Sequence, residues 1–198
     1  MKPMLKKHPI LVGIICATIL LFIATQFYPG GSMADKNSVG FDWTQNFISN
    51  LFGEKAINGN ENLARYWAYA GMVFLSLSLT VFFVQFSVKI PHKGSGLVVR
   101  YLGSLGMLFT FLIVTPYHDL MVVLSSTLFL VCLFYITVFI FKTKQHFLKL
   151  LCVICLLIFY ATLYLYGAGS FDILPIMQKL TFVSVISLVL TLQYRCTL

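Results

Sequence analysis

Charge is scarce in this chain, and negative charge is scarcest. Of 198 residues only 6 are Asp or Glu, against 14 Lys and Arg, and charged residues make up 10% of the whole. A soluble domain carries about a quarter charged residues, so an ordinary solvated surface is excluded. The 59% of hydrophobic residues lie in long runs without polar alternation. That continuity excludes the short alternating strands of a β-barrel. Six runs, 9–27, 63–88, 96–115, 119–141, 147–167 and 172–194, are each about twenty residues long, the length of helix that crosses about 30 Å of hydrocarbon. The expected class is all-α: a single domain, 1–198, forming a polytopic six-transmembrane-helix bundle.

The few charges are sorted by side. Lys2, Lys6, Lys7, Lys89, Lys93, Arg100, Lys142, Lys144, Lys149 and Arg195 fall at one end of the spans. Lys36, Lys55, Arg65 and Lys179 fall at or near the other, together with all six acids, Asp35, Asp42, Glu54, Glu61, Asp119 and Asp172. Basic residues mark the cytoplasmic face, so both termini are expected inside a cell (inner) membrane and the loop 28–62 outside. The net charge of +8 is then topological and argues against a nucleic-acid partner. The first run is longer than a signal-peptide core and no clean small-x-small site follows it. Ile15 before Cys16 also departs from a lipoprotein pattern.

Cysteine is absent from the 28–62 loop, so no disulfide can staple it; the five cysteines, Cys16, Cys132, Cys152, Cys155 and Cys196, lie in spans or at the cytoplasmic end. Cys152 and Cys155 form one C-x-x-C without the second pair a structural zinc would need, and packing is the simpler role.

Within the long loop, "FDWTQNFISNLFG" places Trp43, Phe47, Ile48, Leu51 and Phe52 at helical spacing and Asp42, Gln45, Asn46, Ser49 and Asn50 opposite them. The expectation is an amphipathic helix, started by Asp42 and ended by Gly53. It either rests in the membrane interface or lids the bundle and supplies ligands. "FYPGGS", "GFDWTQNFISNLFG", "NGNEN" and the later "TPYHD" resemble a domain-of-unknown-function family of six-span prokaryotic membrane proteins. That family is distantly grouped with the Frag/DRAM/Sfk membrane proteins, some of which are tied to lipid remodelling. The resemblance implies six helices and no established chemistry. Where the family carries an acid after the loop serine, this chain has Asn50.

Lys179 stands two turns inside the last apolar run, and an ionisable residue within a span is a functional hypothesis in itself. Its expected partner is an outer acid, Asp172 or Asp119. "TPYHDLMVVLSS" adds His118, and Asp119 as a cap, with His118 and Ser125, or Asp119 and Ser126, two turns apart on one stripe. His118 is the one histidine on the outer side; His8, His92 and His146 lie with the cytoplasmic loops. A multi-histidine zinc hydrolase of the alkaline ceramidase kind is therefore excluded. A carboxylate-rich set of Asp42, Asp119 and Asp172 with His118 would suit calcium or magnesium better than zinc, and no cofactor or metal is expected. No G-x-S-x-G supports a serine nucleophile.

The leading expectation is a site beneath the loop that binds a membrane lipid head group, with Asp42, Asn46, Ser49, Asp172 and Lys179 as ligand-binding residues. The alternative is an intramembrane lipid hydrolase or transferase with His118, Asp119 and Lys179 as catalytic groups. A small ion- or proton-coupled carrier is the third reading, although no inverted repeat accompanies the charges.

Overall fold

In the computed structural model, which describes residues 8–196, the apolar runs fold as six helices: α1 Pro9–Gln26, α2 Ala64–Ser87, α3 Lys93–Leu112, α4 His118–Phe141, α5 His146–Gly167 and α6 Leu174–Arg195. Each is long and apolar enough to cross a membrane. Met1–Lys7, which hold Lys2, Lys6 and Lys7 of the basic count, lie outside the described residues, as do Thr197 and Leu198.

Local chemistry sets the ends. Proline opens α1 and α6, where its missing N–H costs nothing. The His92 ring accepts the Ser95 N–H and starts α3 three residues before the apolar run begins. One expected cap is corrected. Asp119 lies inside the first turn of α4, where its charge suits the helix dipole, and the cap position is Tyr117. Asp172 precedes α6 without capping it.

Consecutive helices pack closely except α4 and α5, which touch more sparsely, and α6 returns to α2 and α1 to close the bundle. Outward positions such as Leu77, Val123, Leu157 and Val183 are exposed hydrophobics, as a lipid-facing surface requires. Close approach depends on glycine: a Cβ on Gly13 would collide with the Ser78 hydroxyl, and one on Gly103 with the Phe83 ring. The half of the bundle away from the long loop is filled by Phe82, Phe83, Phe86, Leu133, Ile136 and Leu188, all buried.

The loop between α1 and α2 is ordered without the expected amphipathic α-helix. Residues 42–46 form a turn, Phe47 is extended with ψ 150°, and only Ile48–Phe52 is helical, as a short 3-10 segment. Side chains replace the helical ladder here, as Asx residues do. Asn46 Oδ1 accepts the Asp42 N–H at 2.8 Å, its Nδ2 donates to the Gly31 carbonyl at 2.8 Å, and Asn50 Oδ1 accepts the Phe47 N–H at 2.7 Å. Asn46 is 0% exposed, so a residue assigned to the polar side faces inward. Asn62 Nδ2 donates to the carbonyls of Leu51 at 3.1 Å and Gly53 at 2.8 Å, tying the loop to the start of α2. Gly31, at φ +84°, passes so near the backbone of Asn58 that a side chain there would collide with it. Burial holds the Tyr28 phenol above its ordinary pKa, so the neutral hydroxyl accepts from Ile57 N–H at 3.2 Å and donates to Gly31 O at 3.4 Å.

Candidate functional site

The loop roofs a cavity of about 630 Å³ in that half of the bundle. Five of the six helices contribute walls, α1 being the exception, and the roof comes from Met33 and the 3-10 segment. Its volume lies in the range of small-ligand sites, and its lining is mostly apolar with a few polar groups, as such sites are. Along α4 the lining runs from His118 to Phe129, which at 1.5 Å per residue is about 16 Å of depth. Phe129 and Phe159 stack at 5.2 Å and Phe83 packs on Phe129 edge-on at 5.9 Å, closing the floor with aromatic rings.

At the mouth stands a charged cluster. His118 Nδ1 lies 3.0 Å from Asp119 Oδ1, and the Tyr166 hydroxyl of α5 donates to that same oxygen at 3.4 Å. Tyr166 thus spans the sparsely packed α4–α5 boundary. Asp119 keeps 88% of its side chain exposed, so its carboxylate is open to a ligand. Lower down, Thr162 and Thr181 hydroxyls meet at 2.7 Å, so one donates to the other and the second donates to a carbonyl of its own helix at 2.9 Å. Ser125 donates to the Val122 carbonyl at 3.2 Å and does not pair with His118.

Of the residues expected at the site, His118, Asp119 and Ser49 line the cavity. Asp42, Asn46, Asp172 and Lys179 do not. Lys179 points instead at the loop: Nζ donates to the Asn46 carbonyl at 2.6 Å and to the Pro175 carbonyl of its own helix at 2.9 Å, and lies 5.8 Å from the Phe41 ring centre. The expected ion pair with Asp172 or Asp119 is absent among the described residues. Carbonyl oxygens satisfy the ammonium, as they do for many charges within spans. Asp172 is exposed and has no side-chain partner among the described residues. Asp42 holds its own turn, accepting from the Thr44 hydroxyl and N–H, both at 2.7 Å, and from Gln45 N–H at 3.2 Å. Those bonds, with a smaller contribution from the charge of Lys179, keep its carboxyl below the ordinary value of 3.8.

Of the polar side chains lining the cavity, Thr110, Thr162, Tyr166, Gln178 and Thr181 were not expected from the sequence. Gln178 was the visible one, since it adjoins Lys179 inside an apolar helix. Its Oε1 accepts the Ile48 N–H at 2.8 Å, so Gln178 and Lys179 together clasp the loop onto α6. No three His, Cys, Asp or Glu side chains converge among the described residues. The chain matches no family model, no curated protein and no solved structure.

Proposed function

We propose that this protein binds one membrane amphiphile, with its apolar part in the cavity and its polar part at the His118–Asp119–Tyr166 mouth. The observation that carries the reading is the arrangement of one chamber: charged at the mouth, apolar along its walls and closed by stacked phenylalanines. An apolar chamber of this size gains by excluding water from a hydrocarbon chain. The open Asp119 carboxylate suits a cationic or hydroxylated head group. Lys179 is withdrawn to the loop and no lysine or arginine is among the residues that line the cavity, so its walls hold no cation to favour an anionic one.

In this reading the loop end faces the outer side of a cell membrane, in keeping with the basic residues at the opposite end. The first loop's resemblance to six-span prokaryotic proteins distantly grouped with the Frag/DRAM/Sfk proteins, some of which are tied to lipid remodelling, is in keeping with it. The aromatic floor supports binding over a carrier that needs a polar path onward, and against hydrolysis stands the absence of a hydrogen bond between His118 and any serine among the described residues, Ser125 being bonded to its own helix.

The test is displacement of a fluorescent lysophospholipid from protein purified in maltoside. Val122→Trp, placed on the α4 wall, should abolish binding while thermal unfolding stays close to that of the native chain. Undiminished binding by that folded variant would place the ligand elsewhere.

A further inference from the structure

The polar groups that line the cavity are of two kinds. Thr110 and Ser125 are spent on helix carbonyls at 2.9 and 3.2 Å, and Thr162 and Thr181 on each other at 2.7 Å and on a helix carbonyl at 2.9 Å. Ser49, Ser126 and the Nε2 group of Gln178 have no hydrogen-bond partner among the described residues. The orientation of the Gln178 amide is fixed by its environment: Ile48 N–H is a donor, so the atom facing it at 2.8 Å must be the oxygen. Both N–H groups of Nε2 are therefore left for whatever fills the chamber.

Their depth is informative. Gln178 lies four residues into α6, about 6 Å below its start, and Ser49 is next to the Ile48 that Gln178 holds. Above this layer is the charged mouth; below it are hydrocarbon, the bonded hydroxyls of Ser125, Thr162 and Thr181, and on the α4 wall the Ser126 hydroxyl. An ester- or amide-linked lipid has the same order of parts: a polar head, then a carbonyl acceptor, then an apolar chain. An amphiphile joined by an ether or plain alkyl bond has no carbonyl at that level, and would leave the Gln178 donor buried and unpaired, which is costly.

We infer that the cavity selects acyl lipids, with the Gln178 amide donating to the linkage carbonyl and Ser49 beside it as a second donor. This rests on the amphiphile reading above and adds a class of ligand to it.

The probes are lysophosphatidylcholine and its ether-linked analogue of equal chain length, each titrated into the protein in maltoside, whose alkyl chain carries no carbonyl. The native chain should bind the acyl form roughly 2- to 10-fold more tightly, the range one hydrogen bond supports. Gln178→Glu keeps an oxygen for Ile48 N–H and removes the donor, so that ratio should fall toward one, and reach it when Ser49→Ala is added, while the loop stays protected from protease. Equal affinity of the native chain for both probes overturns acyl selection and leaves the amphiphile reading standing. An acyl preference undiminished in Gln178→Glu overturns the role of Gln178. Failure of both probes to bind overturns this inference and the binding function beneath it. Should Gln178→Glu not fold, the native ratio still decides, and Ser49→Ala should lower it.

Discussion

Lys179 donates to the backbone carbonyl of Asn46 at 2.6 Å, across 133 residues of chain. Both partners look anomalous on their own: a lysine inside an apolar helix and an asparagine with no exposure. Together they explain each other, because the ammonium supplies the donor that a buried loop carbonyl needs and the carbonyl supplies the acceptor that the ammonium needs. The contact keeps the roof of the cavity on α6.

Lys179→Met should therefore loosen the loop and leave the bundle intact. It strips the Asn46 carbonyl of its donor, a loss of about 1–3 kcal/mol in loop stability. Faster proteolysis within residues 30–60, with little change in global unfolding, is the expected outcome. Cleavage at the native rate would show that the clasp contributes nothing.

Asn46→Ala should be the more damaging change. It leaves the Gly31 carbonyl and the Asp42 N–H without their partners in the interior, each a loss of about 1–3 kcal/mol. Asn46→Asp keeps the acceptor for Asp42 and loses the donor to Gly31, so it should fall between the two in a thermal unfolding series. An Asn46→Ala protein as stable as the native chain would contradict the proposed network.

Acid should open the same loop. The carboxyl of Asp42 titrates below 3.8 when folded, so its contribution is fully present above that value and is lost as the pH falls through the folded one. The protection factors of the Thr44 and Gln45 N–H groups, exchange corrected for the intrinsic rate at each pH, should fall below about pH 4 in the native chain. In Asp42→Asn that acid-dependent step should vanish.

Gly103 links packing to the cavity floor. A methyl there meets the Phe83 ring, and Phe83 packs on Phe129. Gly103→Ala should lower stability by about 1–3 kcal/mol through overpacking. It should also weaken amphiphile binding, which a substitution remote from the floor would not do.

The six spans were legible because each is a nearly uninterrupted apolar run, and their observed ends lie within a few residues of the expected ones. His118 with Asp119 was legible as a polar pair at a helix start. The partner of Lys179 was not, since a backbone carbonyl carries no mark in a sequence and any residue at position 46 would present one. Helical spacing in the loop misled for a related reason: Asn46 and Asn50 satisfy backbone groups with their side chains and so replace the helix whose pattern they fit. The cavity depends on how five helices and the loop meet, which the periodicity of any one of them does not contain. Gln178 shows the limit well, for it reads as one polar residue in a span until Ile48 is seen to fix its amide.

The central claim is that an amphiphile lies chain-down in this chamber, and photocrosslinking tests it most directly. A lysophosphatidylcholine with a diazirine at the chain terminus is irradiated with the purified protein and the labelled peptides are mapped by mass spectrometry. The label is predicted at the floor, on Leu79, Phe129, Phe159 or Val185, and Val122→Trp should remove it. Labelling spread over outward positions such as Leu77, Leu157 and Val183, unchanged in that variant, would contradict the account.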